Sequence, residues 1–173
     1  MTHSDQLALD KKNIDTILVL DFGSQYTQLI ARRIRELDVF SIILPWDISK
    51  DRIAEINPTG IILSGGPESV TNKNTPRIPK IIFDLEIPIL GICYGMQTLA
   101  EQFGGQVTAS KTKEFGHASI TLEKASILFS DFDTGSSIDV WMSHGDHVSS
   151  LPDQFNLIAS TPSAPIAAMA HTE

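Results

Sequence analysis

Over its first hundred residues the chain alternates short continuous apolar runs with apolar positions at helical spacing. Ile17-Leu-Val-Leu20 is unbroken, the pattern of a strand covered on both faces in a parallel sheet. Asp21-Phe22-Gly23 predicts a turn and Ser24 an N-cap. Tyr26, Leu29, Ile30, Ile34 and Leu37 then recur at helical spacing, with Arg32, Arg33, Arg35 and Glu36 on the other faces. A second strand is predicted over Val39–Leu44, a short helix over Asp51–Ile56, and a third strand over Gly60–Leu63 that runs into Ser64-Gly-Gly-Pro67. Residues 76–86 read as a helix, with Thr75 as cap and Pro76 at the first position. Ile89 and Leu90 close the next apolar stretch, and Gly91-Ile-Cys-Tyr-Gly95 follows. Met96, Leu99, Ala100 and Phe103 then return to helical spacing. Strands and helices alternating at these lengths predict an α/β fold, an open and mainly parallel sheet flanked by helices.

After Gly104-Gly105 the pattern changes. Gln106–Ala109, His117–Leu122, Ser137–Met142, Phe155–Ser160 and Ile166–Ala170 are short strand-like runs separated by polar residues and turns. They predict hairpins and edge strands added in the C-terminal half. Residues 1–13 are polar apart from Leu7-Ala8-Leu9 and are expected to form a loose arm, with residues 14–173 as one domain.

Composition narrows the partners. A net charge of -8 argues against a nucleic-acid backbone. No apolar run reaches the roughly 18 residues of a membrane span, and Met1–Asn13 has no signal-peptide pattern. A single cysteine permits no internal disulfide. These features together predict a cytoplasmic protein.

That cysteine carries the chemistry. Gly91-Ile-Cys93-Tyr-Gly95 stands where a strand turns into a helix, the cysteine version of a nucleophile elbow. Glycines on both sides leave room for a sharp, strained turn. A helix N-terminus beside sulfur favours thiolate, so Cys93 is expected to be accessible and of low pKa. The bland reading is a buried structural cysteine, and the paired glycines weigh against it. Gly65 and Gly66, in a turn that also ends a buried strand, expose backbone N–H groups at the same sheet edge. With the N–H of Tyr94 they could form an oxyanion hole. A side chain at Gly66, as in Gly66→Val, is expected to harm turnover far more than stability. Gln97 lies one helical turn after Cys93 and could hydrogen-bond a polar substrate. His117, His144, His147 and His171 are all candidate bases, and spacing does not choose among them. No Cys/His spacing suggests a metal, and no phosphate-binding glycine loop is present.

Gly91-Ile-Cys-Tyr-Gly-Met-Gln97 resembles the nucleophile motif of the class I glutamine amidotransferases, a flavodoxin-like fold. Leu20-Asp-Phe-Gly-Ser-Gln-Tyr-Thr-Gln-Leu29, Leu63-Ser-Gly-Gly-Pro-Glu-Ser-Val70, Glu114-Phe-Gly-His117 and Val140-Trp-Met-Ser-His-Gly-Asp146 resemble one branch of that family. The resemblance implies that Cys93 attacks the side-chain amide of L-glutamine, giving a thioester and ammonia. It implies oxyanion donors at Gly66 and Tyr94. It implies substrate contacts at Gly65, Gln97, Ser143, His144, Gly145 and Asp146, the last four in a turn. In that branch the ammonia passes to an ATP-pyrophosphatase domain that aminates XMP to GMP in purine biosynthesis. ATP and Mg2+ would serve that domain, no cofactor would serve this one, and the full-length enzyme would be a homodimer.

The family completes its triad with His-Pro-Glu after a further strand. Here Pro165-Ile-Ala-Ala-Met169 resembles the strand before that motif, and His171-Thr-Glu173 follows it. The base pair is therefore expected beyond residue 173, with His171 outside the triad. Two other readings stay open: a glutamine-binding module without turnover, and a cysteine hydrolase of α/β-hydrolase type that shares only the elbow.

Overall fold

The computed structural model describes residues 15–173; the side chains of residues 110–115 and 144 lie outside that description, as does the expected arm at 1–13. The chain divides into two compact units. One holds the residues up to Pro67 together with Pro76–Ile92, and the other holds Glu68–Thr75 with Cys93–Glu173.

The first unit contains β1 (Thr16–Asp21), α1 (Thr27–Arg35), β2 (Phe40–Pro45), α2 (Lys50–Ile56), β3 (Gly60–Leu63), α3 (Lys80–Phe83) and β4 (Ile89–Gly91). Its four strands are all parallel, in the order β2-β1-β3-β4. Leu18, Val19, Leu20, Ile61 and Leu63 are fully buried, as the continuous apolar runs require. The chain leaves β1 first toward β2 and later toward β3 on the other side. The carboxyl ends of β1 and β3 therefore flank the point where strand order reverses, the usual ligand position in such sheets.

Ser64 fastens those two ends together. Its hydroxyl is fully buried, accepts from the Phe22 N–H at 3.0 Å and donates to the Gly65 carbonyl at 2.8 Å. Its own N–H donates to the Leu20 carbonyl at 3.0 Å.

Two predicted helix boundaries move. Ser24 does not cap α1; its hydroxyl accepts from the Tyr26 N–H inside the preceding turn. Asp21 and Thr27 shape the helix start instead, with Thr27 Oγ1 donating to Asp21 Oδ1 at 2.8 Å. The helix expected over 76–86 shrinks to Lys80–Phe83. Pro79 disfavours helical backbone at Ile78, and Glu86 at φ 52° breaks the far end. Ser49 does cap α2, accepting from the Arg52 N–H at 3.3 Å.

The second unit contains α4 (Tyr94–Gln102), β5 (Gln106–Leu122), a 3-10 turn (Ile127–Phe129), β6 (Ser137–Ser150), β7 (Phe155–Ser160) and β8 (Ala168–His171). Its strands form a separate antiparallel sheet in the order β6-β5-β7-β8. Ile120, Leu122 and Ala159 form its core, with Phe129, Ile138, Val140 and Met142 packed on them. The runs Gln106–Ala109 and His117–Leu122 are the two ends of one long strand, because β6 supplies a partner along most of its length. The pairing slips between Ala109 and Glu114. There β5 takes five residue steps while β6 takes two, from Asp146 to His144.

The end of α4 is tightly seated. Gly104 adopts φ 91° and Gly105 N–H donates to the Ala100 carbonyl at 2.8 Å. A Cβ on Gly105 would stand 2.7 Å from the Ser150 carbonyl oxygen, so only glycine lets the helix end meet the end of β6 this closely.

Candidate active site

Cys93 stands directly before α4, with φ 50° and ψ -110°. An L side chain rarely adopts this backbone, and it costs about 1–3 kcal/mol. The neighbouring residues hold it. Ile92 N–H donates to the Leu63 carbonyl at 2.9 Å on one side, and the first turn of α4 follows on the other, with the Gln97 N–H donating to the Cys93 carbonyl at 3.0 Å.

The strain is measurable. Cys93→Ala keeps a Cβ and keeps the strain; Cys93→Gly removes it. Glycine's extra unfolded-state freedom takes back roughly 0.5–1 kcal/mol. The Gly variant is still expected to melt about 2–4 °C above the Ala variant, roughly 1 kcal/mol for a chain of this size. Equal melting temperatures in calorimetry would mean that the backbone at 93 is relaxed.

The thiol itself is half-buried, and burial pushes the Cys93 thiol up from its ordinary value. This corrects the expectation of an accessible, low-pKa cysteine. Loss of water around sulfur disfavours thiolate more than the start of the helix favours it.

Among the described residues, no histidine is hydrogen-bonded to Cys93. His117 Nε2 lies 3.3 Å from Asp139 Oδ1 on an exposed strand face. His147 Nε2 is 3.3 Å from Thr108 Oγ1. His171 packs edge-on against Phe103 and Phe155, with ring centroids 6.1 and 5.1 Å away, and its Nε2 is 3.2 Å from Gln154 Oε1. Phe103 is the residue that ends α4, whereas Cys93 precedes its first turn. His171 therefore sits by the far end of the helix from the thiol. Glu173 meets it only through a backbone N–H, at 3.3 Å from Nδ1. The side chain of His144 is outside the described residues.

The structure does bring Gln97 together with the Ser143–Asp146 stretch. Gln97 Nε2 donates to the Asp146 carbonyl at 2.8 Å, across 49 positions of sequence. That stretch is strand, not the expected turn: Ser143 pairs with Phe115, His144 with Glu114 and Asp146 with Ala109 inside β6. Gly145 suggested a turn, but it lies opposite the slip in the β5 ladder, where a small residue suits an irregular strand. Tyr94 is buried as the first residue of α4.

Gly65 and Gly66 belong to the first unit. A Cβ on Gly66 would stand 2.6 Å from the Phe22 carbonyl oxygen. That close approach corrects the expectation that a side chain there would spare the fold. Ser64, whose hydroxyl sets up this approach, escaped the sequence reading; the only signal was a small hydroxyl residue at the end of a buried strand. Among the described residues there is no group of three or more His, Cys, Asp or Glu side chains placed to hold a metal ion. Nor is any described helix long and apolar enough to cross a membrane.

Comparison with known proteins agrees with this geometry. The family model for class-I glutamine amidotransferases matches residues 18–173. A GMP synthase (glutamine-hydrolyzing) from Teredinibacter turnerae is 57% identical over 163 residues, which cover 91% of this chain and 31% of that protein. The enzyme of the same description from Vibrio atlanticus is 56% identical over 164 residues, 94% of this chain and again 31% of the relative. The chain thus spans about a third of the length of these curated relatives. Among solved structures, a putative GMP synthase protein from Thermoplasma acidophilum is 32% identical, with a TM-score of 0.79. The match covers 92% of this chain and 79% of that one. A glutamine amidotransferase from Thermotoga maritima, 20% identical with a TM-score of 0.72, shares the fold over 91% of this chain and 71% of its own. A strained cysteine at the start of a helix, inside a matched region that covers nearly the whole described chain, makes this protein a member of the class-I glutamine amidotransferase family.

Proposed function

We propose that the chain is the glutaminase part of a glutamine-hydrolysing GMP synthase, with Cys93 as its nucleophile. One observation carries the reading: Cys93 holds φ 50° at the turn from β4 into α4. A merely structural cysteine has no need of that strain. The identity to GMP synthases supports the product.

In this reading the Cys93 thiol gives its proton to a base, and Sγ bonds to the side-chain amide carbon of L-glutamine. The C–N bond then breaks and nitrogen leaves as ammonia, taking a proton. A glutamyl thioester remains. Water adds to it, the C–S bond breaks, and glutamate leaves as sulfur regains a proton. The Tyr94 N–H, in the first turn of α4, would stabilise the oxyanion. Gly65 and Gly66 stay as contacts on resemblance alone. Ser143, His144, Gly145 and Asp146 would face the amino-acid end of glutamine. Ammonia would go on to an ATP-pyrophosphatase domain, which uses ATP and Mg2+ to aminate XMP, within a cytoplasmic homodimer.

A chloromethyl ketone analogue of glutamine tests the first step. A single adduct on Cys93, suppressed by excess glutamine, is expected in mass spectrometry. No adduct, or one that glutamine leaves unchanged, would overturn the reading. The half-buried thiol, with no described histidine bonded to it, favours a second reading in which the chain holds glutamine without turning it over. Glutamate release by the 173-residue chain separates the two.

A further inference from the structure

We infer that Gln97 is a positioning residue and not a contact for glutamine: its side-chain amide holds β6 at Asp146, so that the Ser143–Asp146 backbone stands fixed beside the elbow helix. The second half of this inference rests on the glutaminase reading. The first half rests on geometry alone.

The Gln97 side chain is only 7% exposed. A buried amide must find partners within the protein, and its Nε2–H finds the Asp146 carbonyl at 2.8 Å, a short and well-formed bond. The place where it attaches is the place where β6 most needs support. From Ser150 to Asp146 the strand is paired with β5, and there the ladder slips, with five steps on β5 against two on β6. An interrupted ladder leaves backbone that another element must hold. The α4 helix does so from one turn beyond Cys93, because the Gln97 N–H is itself bonded to the Cys93 carbonyl at 3.0 Å. The other end of α4 also meets β6, where Gly105 stands against the Ser150 carbonyl. The helix that begins at the thiol thus grips β6 at two places. The Gln97 grip sets the distance from the thiol to the proposed substrate-facing stretch.

The test uses the protein as it stands. In Gln97→Met, which keeps length and loses the donor, amide hydrogen exchange at residues 143–148 is expected to quicken tenfold or more, with β7 amides unchanged. The glutamine concentration that halves chloromethyl ketone labelling of Cys93 is expected to rise about tenfold. Alkylation by iodoacetamide, which needs no glutamine site, is expected to stay within about twofold. Weaker protection with unchanged exchange would overturn the inference and make Gln97 a direct contact. Faster exchange with unchanged protection would reduce the bond to a structural one, and no change in either would also overturn it. If the parent protein shows no glutamine protection at all, the glutaminase reading fails while the exchange result still decides the bond. Should Gln97→Met fail to fold, the parent protein decides by NMR. The Gln97 side-chain NH2 protons are expected to exchange at least tenfold more slowly than those of a free glutamine side chain. Free exchange would overturn the inference.

Discussion

Gly66→Val is expected to lower the melting temperature by about 6–12 °C, the equivalent of roughly 3 kcal/mol for a chain of this size. The cause is a backbone collision. A Cβ at position 66 would stand 2.6 Å from the Phe22 carbonyl oxygen and 3.3 Å from the Phe22 Cβ. Phe22 cannot move aside cheaply. It is buried, and its N–H is held at 3.0 Å by a Ser64 hydroxyl that is itself fully buried. Ser64 in turn is tied to Leu20 in β1. Relief would therefore have to part the carboxyl ends of β1 and β3. Gly66→Ala meets the same oxygen with its first added carbon and should lose a large share of the same stability. A melting temperature for Gly66→Ala within about 2 °C of the parent would show that the two turns are not in the close contact described.

The second large effect concerns the thiol. Alkylation of Cys93 by iodoacetamide is expected to be slower at pH 7 than that of a cysteine in an unfolded peptide, and to climb as pH rises past the ordinary cysteine range. Thiolate is the reacting form, and burial raises the pH needed to make it. The same shift sets a sign for stability. The folded protein keeps the Cys93 proton more tightly than the unfolded chain does. This contribution is therefore complete below the unfolded-state value and is lost as pH rises through the folded one. His171→Ala should leave the alkylation profile where it was, since that ring lies with Phe103 and Phe155 at the far end of α4. Fast alkylation at neutral pH, slowed by His171→Ala, would put the imidazole beside the sulfur and refute the placement.

Much of this could be read from local pattern. Ile17–Leu20 and Gly60–Leu63 are strands because nothing but a sheet covered on both faces suits such runs. Cys93 stood out because two glycines and a change of periodicity meet there. The failures share one cause, in that each depends on what lies across space. Residues 110–116 carry a polar run that reads as a break between strands, yet β6 pairs with both ends and makes one strand of them. Gly145 reads as a turn until its partner strand is known. The Pro79 effect was local and could have been read, because the proline disfavours helix at Ile78. Whether the Cys93 thiol is easy or hard to ionise depends on what buries it, which no spacing of glycines reveals. The bond from Gln97 to Asp146 joins residues 49 positions apart and has no sequence signal.

The burial of Cys93 also bears on how long the nucleophile survives. Peroxides attack thiolate, and the sulfenic acid they form proceeds irreversibly when it finds no thiol partner. With one cysteine in the chain there is no internal thiol to resolve it. A sulfur kept protonated by its surroundings until a substrate and a base arrive is shielded from that loss during the intervals between turnovers. The reluctance to ionise that slows a chemical probe is thus also what preserves the sulfur in its reduced form.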